Sequence, residues 1–231
     1  NAAGSYTLTP SGFTATNYDL TYRTGTYTIV PANQLLVRVA DTTTVYGTAP
    51  SYNITSAKYV MPDNSLIDLT TQLSLSGTTY TLNDGASGNA RFALGASNAT
   101  YSASGNLNVG TWNSTAVGAI TTSPNFSNTL TVVGTQTVTP RTLTISATAA
   151  NKVYDGNTTA TLSGFSDNRL TGDALSLTQT SATFATKNAL PQQTVTIDGI
   201  SLSGNDAGNY TVPSSTLTTT ADITKKTLSL S

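Results

Sequence analysis

The chain has 231 residues, with 10 Lys+Arg against 11 Asp+Glu, no His, no Cys and a net charge of −1; all the acids are Asp, and Thr and Ser make up roughly a third of the residues. The absence of His and Cys removes an imidazole base, a thiolate nucleophile, a disulfide and the usual zinc or haem ligands. Only 9% of residues are charged and no basic patch is present, so nucleic acid is not expected as a partner.

Alternation of apolar and polar residues runs through the chain in order: Tyr18/Leu20/Tyr22, Leu35/Val37/Val39, Leu73/Leu75, Tyr80/Leu82, Leu130/Val132, Leu143/Ile145/Ala147, Leu175/Leu177 and Val195/Ile197. This period of two predicts antiparallel strands with one buried and one wet face, and β-branched Thr suits the wet face. Asp84-Gly85, Gly105-Asn106, Asp155-Gly156 and Asp198-Gly199 supply residues that accept the positive φ of tight turns. No stretch carries sustained 3.6-residue periodicity. The uncharged segment between Arg91 and Arg141 is rich in Thr, Ser, Asn and Gly, and lacks the run of about 20 apolar residues that a spanning helix needs. No membrane insertion is expected, and Asn1-Ala2-Ala3-Gly4 has no basic leader character, so any signal peptide lies outside these residues. The expectation is an all-β chain of sandwich-like modules.

Three segments repeat a pattern of Asn-aromatic, alternating strand, a Pro or Lys, and a second alternating strand. They start at Asn17-Tyr18, Asn125-Phe126 and Asn209-Tyr210 and pass through Pro31, Pro140 and Lys225. Proline cannot donate to a sheet ladder, so Pro31 and Pro140 should each separate two strands, and stiff joints of this kind favour a rod. Repetition at this scale indicates an array. The boundaries expected are the C-terminal part of one module at 1–33, a long module at 34–140, a shorter one at 141–226, and the start of another at 227–231.

The segment Lys152-Val153-Tyr154-Asp155-Gly156-Asn157-Thr158, the stretch Leu202 to Tyr210 (LSGNDAGNY) and the exit strand Ala221-Asp222-Ile223-Thr224 resemble the bacterial YDG domain. Val45-Tyr46-Gly47-Thr48 and Gly12 to Tyr18 (GFTATNY) are similar to the related MBG domain, a bacterial immunoglobulin-like repeat. The resemblance implies tandem immunoglobulin-like β-sandwich modules in an elongated array. Such arrays occur in large secreted adhesins of the filamentous haemagglutinin type, as stalks or spacers at the bacterial cell surface, often in biofilm formation. It implies no catalytic residues and no cofactor. The partners it implies are neighbouring repeats of the same chain, and a polysaccharide or a host or matrix surface reached through the parent protein.

Several local readings stand beside that one. Tyr154, Asp155 and Gly156 form the sharpest motif. Asp155 with Asn157 reads as a calcium ligand pair or as a plain turn with Tyr154 packed into the sandwich, and the turn is favoured because calcium takes 6–8 oxygens. Asn209 and Tyr210 read as a turn residue and a core aromatic. The one tryptophan, Trp112, with Tyr101 and Tyr80, makes a candidate carbohydrate platform; core filling is the other reading. Asp63 and Asp68 form the nearest pair of carboxylates to a glycosidase arrangement, but nothing forms a nucleophile, base and orienter set, so an enzyme is not expected. Lys152 beside Asn and Asp raises an internal isopeptide bond, which would need a buried carboxylic acid as catalyst. The function expected is a structural stalk segment of an extracellular adhesin; the alternative is a carbohydrate-binding β-sandwich.

Overall fold

A computed structural model of the chain describes residues 4–29, 34–61, 63–85, 89–121 and 130–230. It is all-β, as the alternation predicts: the only helical pieces among the described residues are two three-residue 3₁₀ turns, Thr70–Gln72 and Ala207–Asn209. The chain divides into two compact units that are interleaved in sequence. The first takes residues 1–42, 50–98 and 111–136; the second takes 43–49, 99–110 and 137–231.

In the first unit, one sheet runs in the order Leu130–Val133, Leu35–Val39, Ile54–Val60, Leu66–Asp68. A second set of antiparallel strands runs Gly110–Thr121, Asn89–Ala96, Thr79–Asn83, Leu73–Ser76. The alternation at Leu35, Val37 and Val39 puts all three side chains inward, where they meet Ala57 and Tyr59 from the neighbouring strand and Leu82, Ala90 and Phe92 from the other set. Two layers sharing one apolar core are consistent with a β-sandwich. The strands Gly4–Leu8 and Gly25–Ile29 form a separate antiparallel pair.

The second unit has its own core. Ser181–Phe184, Gln193–Asp198 and Thr216–Ala221 form a three-stranded antiparallel sheet, and Ile145–Ala149 pairs with Leu162–Asp167. Val195, Ile197, Phe184 and Ala182 of the first sheet pack with Ala149, while Ile145, Ala147, Leu162 and Phe165 of the second cover them. Ser176–Thr178 pairs antiparallel with Ser201–Ser203, and there are two short parallel pairings: Arg141–Thr142 with Tyr210–Thr211, and Lys152–Val153 with Ile223–Thr224. Pro140 separates the strands Thr135–Thr139 and Arg141–Thr142, as its missing N–H requires. Pro31, Asn125 and Phe126 lie outside the described residues.

All four predicted turn glycines have positive φ: Gly85 at 77°, Gly105 at 79°, Gly156 at 84° and Gly199 at 68°. The expected Tyr18–Tyr22 strand is not present. Residues 9–24 connect the first strand pair without regular structure, and the Tyr22 hydroxyl donates to Phe13 O at 2.8 Å across that loop. Alternation alone does not make a strand; a partner must take up its backbone groups. The same loop breaks the equivalence of the Asn-aromatic pairs, because Tyr18 is 79% exposed whereas Tyr210 is 5% exposed.

Candidate functional site

The polar chemistry of the second unit concentrates in two places. The first is built around Asp173, which is 8% exposed. Its Oδ2 lies 2.7 Å from the Tyr46 hydroxyl and 2.5 Å from the Tyr210 hydroxyl, and its Oδ1 accepts the Ser104 N–H at 3.2 Å. Tyr46 is also 2.6 Å from Ser102 Oγ. A phenol has one proton, so once it is given to the carboxylate the serine hydroxyl is left to donate to the phenol oxygen. Leu170 N donates to the Tyr210 oxygen at 2.9 Å, and the two tyrosine rings meet edge to face at 5.3 Å. Burial works against ionisation of Asp173. The donors from Ser104, Tyr210 and Tyr46 outweigh it and hold the carboxyl below its usual value. The same carboxylate, after burial itself, helps push the Tyr46 and Tyr210 phenols up.

Two further buried side chains extend this network. Asp206 Oδ2 accepts Ala174 N at 2.7 Å. Asn209 accepts Val109 N at 2.9 Å and donates to Asn108 Oδ1 at 2.8 Å. The closing motif read from the sequence is therefore a set of clamps. Asp206, Asn209 and Tyr210 hold residues 99–110 and the 170–174 turn to the strands that follow. Gly47, with φ of 86°, completes the fit: a Cβ there would stand 2.5 Å from Leu170 Cδ1.

The second place is the Tyr154-Asp155-Gly156 turn. Asp155 Oδ1 accepts Asn157 N at 3.1 Å, and Asn157 Oδ1 accepts Thr159 N at 3.0 Å, two successive turns in which a short side chain satisfies the backbone two residues on. Lys152 reaches into the loop they make. Its Nζ donates to Asp155 Oδ1, Asn157 Oδ1 and Asn157 O, each at 2.9 Å, and to Thr159 O at 3.0 Å, and it lies 5.5 Å from the centre of the Phe184 ring. The oxygens considered for calcium thus surround an ammonium group. Tyr154 does not pack inward as the turn reading assumed; it is 37% exposed while its N–H pairs with Thr224 O at 2.8 Å. Asp155 is exposed, and Lys152 and the Asn157 N–H keep its carboxyl below its usual value. It is therefore not the buried, protonated acid that isopeptide formation would require.

The remaining candidates are dispersed. Tyr80 stacks on Phe92 at 5.7 Å and donates to Tyr52 O at 3.0 Å. Tyr80 pairs in register with Phe92, whereas Trp112 sits next to Asn113, whose carbonyl accepts Ser97 N; the offset is about 20 Å along the strands. Trp112 is half-buried and does not share a platform with Tyr80. Tyr101 is exposed and belongs to the second unit. Asp63 and Asp68 each fold onto their own turn, through Ser65 and Thr70. The Thr70 hydroxyl and N–H, with Lys58 at 3.0 Å, pull the Asp68 carboxyl to about 2, and Ser65 lowers Asp63 too. Neither is set up as the protonated acid of a glycosidase pair.

A YDG domain is found at residues 139–221. The match covers both the Lys152 turn and the Asp206–Tyr210 clamps. No match was found among curated proteins or among solved structures. The YDG motifs thus mark one caged turn and one buried hydrogen-bond hub. Sequence reasoning picked out Asp155 and Tyr210 but missed Asp173, which follows Gly172 in no recognisable motif. It also quoted Tyr46 and Asp206 only as parts of longer motifs, and weighed Lys152 by itself only for an isopeptide bond. For Tyr46 the only sequence signal is the glycine beside it, a residue type suited to the positive φ and close backbone approach that Gly47 in fact makes.

Proposed function

We propose that this chain is a stalk segment of an extracellular bacterial adhesin of the filamentous haemagglutinin type, in which tandem immunoglobulin-like sandwiches project a distal binding region from the cell surface. The observation that carries the reading is a YDG domain in one chain with a second β unit that has its own core. In this reading 1–33 and 227–231 are the ends of adjoining modules, and 34–140 and 141–226 are the two modules between them, residues 43–49 and 99–110 of the first serving the compact unit of the second. The role is mechanical and non-enzymatic, and the sparsely charged, Thr-rich surface makes few strong contacts of its own. Small-angle scattering tests it. A compact body of this length has a radius of gyration of about 17 Å. A stalk segment gives a value well above that and a rod-like cross-section; a measured value at the compact figure rejects the proposal.

A second reading, a carbohydrate-binding module, is favoured by a different feature from the aromatic trio. A cleft of about 530 Å³ in the first unit is lined by Arg38, Asp41, Asn113, Thr24 and Thr26 over Val132. Asp41 is engaged by the N–H and hydroxyl of Thr135, both at 2.8 Å, whereas the Arg38 guanidinium has no side-chain partner among the described residues. A planar fork beside hydroxyl and amide groups suits a carboxylated sugar. Uronic-acid oligosaccharides should then bind with a salt-sensitive affinity that Arg38→Gln reduces about tenfold. No binding, or binding indifferent to the substitution, ends this reading.

A further inference from the structure

The geometry points to a monovalent-cation site at the Tyr154-Asp155-Gly156 turn whose resident cation is the chain's own Lys152 ammonium. Four oxygens converge on Nζ at 2.9–3.0 Å: one carboxylate, one side-chain amide and two backbone carbonyls. The face of Phe184 closes another side at 5.5 Å. Size and charge select the class of ion. Calcium sits about 2.3–2.6 Å from 6–8 oxygens, usually with several carboxylates. Here there are four oxygens, set about 0.4 Å too wide, and a single carboxylate to balance one positive charge. Ammonium and potassium have nearly the same radius, and potassium is held elsewhere in biology by rings of carbonyl oxygens. A tethered ammonium and a free monovalent ion are therefore interchangeable in this cage in a way that a divalent ion is not.

The position of the cage gives the occupant a task. Lys152 is anchored by pairing with Ile223, its N–H donating to Asp222 O at 3.0 Å. The far wall is tied to the three-stranded sheet, where Phe184 N donates to Thr158 O at 2.7 Å and Ala160 N to Ala182 O at 2.9 Å. The cation joins the start of the YDG domain, its exit strand and its central sheet. Without it, four carbonyl or carboxylate oxygens would face one another, and only the two side-chain oxygens would keep a donor, from the Asn157 and Thr159 N–H groups. Being covalently attached, the ion does not depend on the salt outside. The turn is ordered in any medium, and the lysine, 19% exposed at its side chain, is withdrawn from amine chemistry.

The test uses the full chain and its Lys152→Ala variant, which leaves the cage empty. Thermal unfolding is recorded at one ionic strength in ammonium, potassium, tetramethylammonium or millimolar calcium chloride. The variant should lose several degrees of Tm in tetramethylammonium, which is too large to enter, and recover about half of the loss in ammonium or potassium, while the parent chain responds equally to all of them. Equal loss in every salt, or rescue by calcium alone, overturns the assignment. A second readout needs no variant. Lys152 in the parent chain should acetylate at least about tenfold more slowly than exposed Lys187, Lys225 and Lys226 when followed by peptide mass spectrometry. Acetylation at the same rate as those three overturns it as well.

Discussion

Asp173 is ionised in a place where water hardly reaches it, because two phenols and a backbone N–H do water's work. Replacing it by Asn keeps the shape but weakens charge-assisted bonds to Tyr46, Tyr210 and Ser104, a loss of about 2 kcal/mol, or about 4–8 °C in Tm for a chain of this size. The pH dependence has a definite sign. The folded carboxyl titrates below its unfolded value, so its contribution is complete above about pH 4 and disappears as pH falls through the folded pKa. The Tm difference between the parent chain and Asp173→Asn should be largest near pH 7 and shrink below pH 4; a difference constant from pH 7 to 2.5 would show that the charge plays no part. Asp167, lowered first by its ion pair with Arg169, adds a drop of the same sign to both proteins. Residue chemistry also explains why several of the acids are Asp. Asp63, Asp68, Asp155 and Asp167 each accept the N–H two residues on, a reach that suits the shorter side chain.

Among the elements, two turns that look alike in sequence differ in what they tolerate. Gly199 and Gly156 both follow Asp and both have positive φ. A Cβ on Gly199 would stand 2.2 Å from Thr180 Oγ1, which is held by its bond to Asp198 O at 3.0 Å, whereas a Cβ on Gly156 meets nothing within 4 Å. Gly156→Ala should cost about 1 kcal/mol, the conformational penalty alone, and Gly199→Ala about 2–3 kcal/mol. Equal costs in urea unfolding would contradict the close approach. The strands themselves were largely legible, because burial on one face writes itself into alternation, as at Leu35/Val37/Val39 and Val195/Ile197. Tyr18/Leu20/Tyr22 misled because the same pattern carries no record of whether a partner strand lies alongside. Asp173 was illegible for a related reason: its donors are Tyr46, Ser104 and Tyr210, from remote stretches of chain, and no local spacing encodes them.

For the molecule as a whole, motifs revealed the YDG domain, but compactness follows different lines from sequence. The second unit recruits 43–49 and 99–110, pieces that a reading by contiguous modules assigns elsewhere. Tyr46 and Asp173 are 127 positions apart, which makes their contact among the most non-local between the described residues. That separation also sets a timetable. A ribosome adding about 5–20 residues per second finishes Tyr46 roughly 6–25 s before it reaches the partner 127 positions later. Throughout that interval the hydroxyl, and Ser104 after it, must remain solvated and uncommitted. Asp206 to Tyr210, a turn made after both, is the one that locks the earlier piece in place, through the Tyr210 ring against Tyr46 and its hydroxyl on Asp173.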